Sequence, residues 1–227
     1  MFFLLFTSCA SQINGTLQSD GRADLLVSAS LEPNITRLIR TFATMASGNV
    51  QPDAPLLDGL AISASLTAAP GVASASLVNT TPTSIAGPVV ISRLSDFLSQ
   101  DRASGFITFE QGPQGGRCVI RLSRETGPEI LALISPEIGE YLQALMAPIA
   151  TGEVMTRTEY LLLISLVFGR AIADEMTNAH IRASLEFPGQ IQNVHGGTFS
   201  GRRAEFAVPL LDILVIETPL RYEVTWR

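Results

Sequence analysis

Residues 179–187, with the sequence AHIRASLEF, alternate between apolar side chains at the odd positions and polar side chains at the even positions. A period of two residues is typical of a β-strand that buries one face. The dipeptide Pro188-Gly189 follows and predicts a turn. This stretch therefore predicts a sheet with an apolar face and a polar face.

Similar patterns extend outward from this strand toward both ends of the chain. Residues 191–194, 202–208 and 220–226 read as further strands near the C-terminus, and residues 13–18 and 22–31 read as a hairpin around the turn Ser19-Asp20-Gly21. Residues 106–109 and 117–122 flank a glycine-rich tip and read as a second hairpin. These patterns predict a mostly antiparallel β-sheet.

Apolar helices are predicted between the strands. They begin at Pro33, at Pro128 and at Thr156, and the last two extend to Ile149 and Asp174. Residues 48–87 contain too much Leu and Ile to be a flexible linker. The predicted fold is therefore a single α+β domain over residues 13–227, in which the helices pack on one face of the sheet.

The most apolar stretch is LLLISLVF, residues 161–168, which is apolar on all sides of a helix. A membrane span needs about 20 apolar residues, and Arg157, Glu159 and Arg170 bracket this shorter run. Two interpretations remain: a fully buried core helix, or a helix that lies at an interface.

Composition narrows the possible functions. Of 227 residues, 46% are hydrophobic and 16% charged, with a net charge of −6, which excludes disorder and makes nucleic acid an unexpected partner. All 15 basic residues are arginine, so lysine Schiff-base chemistry is excluded. Arginine matches phosphate and carboxylate groups with a planar fork.

The first nine residues, MFFLLFTSC, form an apolar run that ends at a cysteine. This resembles a bacterial lipoprotein signal peptide. The resemblance implies cleavage after residue 8 and acylation of Cys9 by fatty acids such as palmitate. We expect residues 1–8 to be the signal, truncated because no basic residue precedes the apolar run, and residues 9–12 to be a lipidated tether to a membrane. The alternative is an apolar N-terminal strand with a chance cysteine.

The two ends of the chain resemble one lipoprotein family. The segment FPGQI at 187–191, Asn193, Gly196-Gly197, a strand starting near Gly201 and the closing VTW at 224–226 are similar to the C-terminal pattern of mycobacterial LppM-type lipoproteins, and the Asp20-Gly21 hairpin is similar to their start. The resemblance implies a cell-envelope protein with a lipid-binding fold. Its domain would lie in the periplasm or outside the cell.

Signs of catalysis are weak. The sequence contains no G-x-S-x-G motif, and its two histidines, His180 and His195, have no metal-ligand spacing. Cys118 lies in an alternating strand and is expected to be a buried, inert thiol. A pair of carboxylates facing each other across a cleft remains open as a glycosidase-type site. We expect no enzyme activity, no metal and no cofactor.

Two functions remain from different classes. In the first, the helices cover an apolar cavity that binds a lipid, with Leu142, Leu163 and Phe168 lining it. Arg117 and Arg121, as well as Arg202-Arg203, would bind an anion; salt bridges to nearby Glu205 and Glu125 would equally explain these arginines. In the second, a packed protein docks on an envelope protein through an exposed apolar patch.

Overall fold

A computed structural model describes residues 10–47, 54–98, 105–126 and 142–227. The strands are β1 (Ala10–Leu17), β2 (Ala23–Ser30), β3 (Val72–Ala75), β4 (Val78–Thr81), β5 (Ser84–Ile91), β6 (Ile107–Gly112), β7 (Gly115–Leu122), β8 (His180–Glu186), β9 (Ile191–His195), β10 (Gly197–Ser200), β11 (Arg203–Pro209) and β12 (Leu220–Trp226). The described helices are α1 (Pro33–Ser47), α2 (Gly59–Thr67), α3 (Leu94–Leu98), α4 (Pro148–Thr151), α5 (Arg157–Phe168), α6 (Arg170–Asn178) and α7 (Leu210–Val215). The α+β class and the mostly antiparallel pairing are confirmed.

The strands form two sheets. The first has eight strands in the order β10-β11-β8-β1-β2-β5-β3, with β4 also paired to β5. Its strands pair antiparallel except for β1 and β8, which pair parallel from Ala10 opposite His180 to Thr16 opposite Glu186. The second sheet has the order β6-β7-β12-β9 and is antiparallel throughout.

A hydrophobic core joins the inner faces of the two sheets. Trp226 of the second sheet packs against Phe187, with ring centroids 4.9 Å apart, and against Phe109 at 6.0 Å. Gly116 makes room for the indole, because a Cβ there would lie 2.2 Å from a Trp226 ring carbon. We call this group the sheet core; its fully buried members are Leu17, Ala23, Leu77, Ile85, Val89, Ile91, Phe187, Ile191, Ala204, Val224 and Trp226.

A separate core lies among the helices. We call it the helical cluster; its buried members are Ile35, Ile39, Leu145, Ala147, Tyr160, Ile164, Ile172, Ala173, Met176, Leu211, Leu214 and Val215. Helix α5 packs against α6 and α7, and α1 packs against α6. These helices therefore bury much of their apolar surface against one another.

The helical cluster lies at one end of the strands. Helix α1 follows the end of β2, α6 precedes the start of β8, and α7 follows the end of β11. A hydrogen bond from Leu210 N–H to Ala179 C=O (2.9 Å) joins two of these junctions. We call this the helical end of the molecule.

Two expectations are wrong. Residues 10–12 are not a tether, because they are the first residues of β1 and pair with β8. Residues 156–174 are not one helix, because Gly169 separates α5 from α6. Its φ of +96° is one that residues with a side chain rarely adopt. The predicted signal at 1–8 and Cys9 lie outside the described residues, as does most of the predicted helix at 128–149.

Candidate functional site

Helix α5 begins at a capping box. The Thr156 hydroxyl accepts a hydrogen bond from Glu159 N–H, and the Glu159 carboxylate accepts one from Thr156 N–H (2.8 Å). These hydrogen bonds from Thr156 lower the pKa of Glu159. Such a cap satisfies backbone donors that would otherwise have no partner and fixes where the helix starts.

One side of α5 is anchored in the helical cluster by Tyr160 and Ile164, both fully buried. The Tyr160 hydroxyl donates a hydrogen bond to the Leu145 carbonyl (3.2 Å). Burial raises the pKa of Tyr160 above its usual range, so this hydroxyl stays protonated. The orientation of α5 about its axis is therefore fixed.

The opposite side of α5 is apolar and exposed. Leu162 is 59% exposed, Leu166 76% and Val167 53%. Leu162 and Leu166 are four positions apart and form one stripe on this side. Val167 is seven positions after Tyr160, so it lies nearer the anchored side and is exposed at the C-terminal end of the helix, next to Leu166. The part of LLLISLVF that does not face the cluster thus faces solvent.

Helix α1 adds a fourth exposed side chain near the C-terminal end of α5. Phe42 meets Phe168 edge-to-face, with ring centroids 5.8 Å apart. Met45, three residues after Phe42, is 77% exposed. We call Met45, Leu162, Leu166 and Val167 together the apolar helical face.

The packing of helices α1 and α6 determines how far this face lies from the sheets. The Glu175 carboxylate of α6 accepts hydrogen bonds from the N–H groups of Asn34 (3.1 Å) and Ile35 (2.9 Å), at the start of α1. The two helices are therefore antiparallel, with this junction near the strands. A helix rises 1.5 Å per residue, so Phe42 lies roughly 14 Å beyond the start of α1, away from the sheets.

The chain enters the domain at this same end. Ala10, the first residue of β1, is paired with His180, the first residue of β8. The described part of the chain therefore begins at the helical end.

The structure places the three predicted apolar ligand-binding residues against one cluster and the two predicted arginines on a strand of the second sheet. Leu142, Leu163 and Phe168 are half-buried and pack against the helical cluster. Arg117 and Arg121 lie on β7, in the second sheet. The sequence interpretation did not single out the exposed side chains of α5, although the all-round apolar character of residues 161–168 was the signal for them.

The salt bridges also differ from those expected. Arg117 pairs through Nε with Glu223 Oε1 at 2.7 Å, not with Glu125, and Arg202 pairs with Glu186, not with Glu205. Arg221 binds the other oxygen of Glu223. These two arginines lower the pKa of Glu223.

Two clefts open on strand surfaces, not beneath the helices. One, of about 570 Å³, has a mixed lining on the first sheet, with the polar residues Gln12 and Arg182 beside Phe206. The other, of about 520 Å³, lies beside the Asp20-Gly21 turn. Neither has the apolar lining expected of a cavity for acyl chains.

Cys118 is half-buried on β7, and burial raises the pKa of its thiol to about 11. A thiol with this pKa is almost entirely protonated at neutral pH, and so is a poor nucleophile. Within the described residues, no three His, Cys, Asp or Glu side chains are placed to hold a metal ion. Nor is any described helix long and apolar enough to cross a bilayer.

The fold is thus an α+β protein with a large sheet, a smaller second sheet and an apolar helical face. No protein-family model matches the chain. No curated protein matches it. Among solved structures, the chain is similar to the folded domain of LppM from Mycobacterium tuberculosis, with a TM-score of 0.41 and 10% identity over 100% of this chain and 95% of that one.

Proposed function

We propose that the protein is a lipid-anchored protein of the bacterial cell envelope that binds the acyl chains of lipids at its apolar helical face. The observation that carries this proposal is the exposure of Leu162, Leu166, Val167 and Met45 at the end of the molecule where the chain enters. Acylation of Cys9 would hold the helical end close to a membrane.

The free energy of transferring these side chains into lipid is enough to orient the domain on a membrane that an anchor already holds. Burying one large aliphatic side chain completely contributes about 1.5–3 kcal/mol. The four side chains are already partly buried, so roughly 1 kcal/mol each remains on transfer into lipid. The total, about 4 kcal/mol, corresponds to weak binding on its own. Together with a lipid anchor it would hold the domain in one orientation on the bilayer.

The lipidation part of the proposal is tested by metabolic labelling with palmitate in a bacterial host. The wild-type chain should carry the label in the membrane fraction, and a Cys9→Ser variant should carry none. Because the signal at 1–8 is expected to be truncated, both chains are expressed with a basic segment before Met1. Equal labelling of both chains, or none of either, would then overturn Cys9 as the anchor.

Acyl-chain binding is tested on the full chain carrying Cys9→Ser, so that membrane binding does not depend on the anchor. Leu162→Ser and Leu166→Ser together should abolish most co-sedimentation with phosphatidylcholine vesicles. The matched control is Leu60→Ser in α2. Leu60 is 77% exposed, almost the same as Leu166, but lies on a helix that packs against β3 and β4 of the first sheet.

Native mass spectrometry of the same purified chain shows whether lipid co-purifies. Lipid adducts that disappear in the double variant would support binding at the apolar helical face. Vesicle binding that is unchanged in the double variant, or that Leu60→Ser reduces equally, would contradict it. Failure to bind any lipid would leave an envelope protein as the partner of this face.

A further inference from the structure

Three arginines share the outer face of the second sheet. Arg121 of β7 lies directly opposite Arg221 of β12, Val119 opposite Glu223, and Arg117 opposite Thr225. Directly opposed residues, and residues two apart on a strand, point to the same side of a sheet. The core-facing residues Val224 and Trp226 alternate with these positions, so the three guanidinium groups lie on the side away from the sheet core.

Two of these arginines form salt bridges with one carboxylate, that of Glu223. Glu223 accepts from Arg117 on one oxygen and from Arg221 on the other. The Glu223 side chain is only 10% exposed, whereas Arg117 and Arg221 are 43% and 44% exposed. Glu223 therefore fixes the positions of two guanidinium groups, and each of its oxygens already accepts a hydrogen bond from one of them.

Arg121 is the third. Among the ion pairs of the described residues, none includes Arg121. On the described strands of this sheet, the other titratable groups on this face are Glu110, opposite Arg117, and His195, opposite Glu223. Positive charge therefore exceeds negative charge where Arg121 meets Arg221.

Like charges directly opposite one another on antiparallel strands are unfavourable. An oxyanion between them removes that repulsion. Arg221 uses one Nη on Glu223, and a guanidinium has five N–H donors, so donors remain on both arginines. The planar forks of two such groups match the oxygens of a phosphate.

We propose that Arg121 and Arg221 form a binding site for a phosphate group, with Arg117 and Glu223 as positioning residues that hold Arg221 in place. The phosphate can belong to a lipid headgroup or to a soluble phosphate ester. Arg121 and Arg221 lie next to Leu122 and Leu220, at the ends of β7 and β12 that reach the helical end. A phosphate of a membrane lipid and a phosphate in solution can therefore both reach the two arginines.

The test is a titration of the full Cys9→Ser chain with inorganic phosphate, followed by NMR of the arginine Nε–H groups. Phosphate should shift the signals of Arg121 and Arg221, and Arg121→Gln should weaken the affinity by roughly tenfold, the usual effect of losing a charge-assisted hydrogen bond. Arg121→Lys keeps the charge and should restore part of the affinity.

Arg203→Gln is the matched control, because Arg203 is an exposed arginine on a strand of the first sheet, 4.0 Å from Glu186. It should leave the phosphate affinity unchanged. Thermal unfolding of each variant checks the fold. Absence of a phosphate-dependent shift at Arg121, or equal weakening by Arg203→Gln, would overturn the proposal.

Vesicle-binding measurements distinguish a lipid headgroup from a soluble phosphate ester as the ligand. If the ligand is a lipid headgroup, Arg121→Gln should reduce binding to vesicles that contain phosphatidylglycerol and leave binding to phosphatidylcholine vesicles unchanged. If only the inorganic phosphate titration responds, the ligand is soluble. The apolar helical face is not needed for the phosphate titration, so failure of one proposal does not imply failure of the other.

Discussion

The sheet core and the helical cluster bury their apolar residues in different ways. The sheet core lies between the inner faces of two sheets, so Trp226, Phe187 and Phe109 have aromatic neighbours. In the helical cluster, by contrast, α5 is packed on one side only: Ile164 is fully buried and Leu166, two residues later, is 76% exposed. The sheet core is thus enclosed between two sheets, whereas α5 leaves large apolar side chains exposed on one side.

The largest effect is expected in the sheet core. Trp226→Ala should destabilise the protein by about 3–5 kcal/mol, because it removes a 2% exposed indole and leaves a cavity between the sheets. Urea unfolding followed by far-UV circular dichroism measures this loss, since the variant lacks the only tryptophan. A loss below about 1 kcal/mol would mean that the two sheets do not share this core.

Two substitutions on opposite sides of α5 test whether only one side of this helix is buried. Ile164→Ala should cost about 2–5 kcal/mol, the usual range for truncating a buried isoleucine. Leu166→Ala removes a similar side chain from the same helix and should change the stability by no more than about 0.5 kcal/mol. If the two losses, measured by urea unfolding, proved equal, the outer side of α5 would be buried.

The cap of α5 should matter less than its buried side. Thr156→Ala removes the acceptor of the Glu159 N–H hydrogen bond and should cost about 1 kcal/mol. Thr156→Ser keeps the hydroxyl and serves as the control. Differential scanning calorimetry should therefore show a lower unfolding temperature for the alanine variant alone.

The smallest effect is expected at Glu223 and depends on pH. Arg117 and Arg221 lower the pKa of Glu223 in the folded state, so its stabilising contribution is complete above the unfolded pKa of about 4.3. It is lost as the pH falls through the folded pKa. Glu223→Gln should therefore be less stable than wild type at pH 7, with a difference that shrinks at lower pH. A difference that is constant from pH 7 to pH 3 would contradict this assignment.

Local patterns predicted most of the strands. The alternation over 179–187 became β8, and the Ser19-Asp20-Gly21 turn joins β1 to β2 as expected. The strand that carries Cys118 was also predicted, and the structure leaves this thiol half-buried where the sequence predicted a buried one. In each case the information lies within about ten residues, where side-chain period and turn chemistry act.

Pairing between distant segments was not predictable in the same way. Residues 10–12 have a polar, loop-like sequence, yet they pair with residues 180–182. Nothing near residue 10 specifies a partner 170 positions away, because strand pairing depends on how the whole chain packs. The division of the strands into two sheets was missed for the same reason.

The sequence by itself determined the α+β class, the positions of the turns, the excess of arginine and the apolar character of residues 161–168. Only the tertiary structure decided which side of α5 is buried and that Arg121 faces Arg221. A helix that is apolar all round carries no preference for one side, so contacts from α6 and α7 made that choice. The position of the exposed side near the chain entry is likewise a property of the fold.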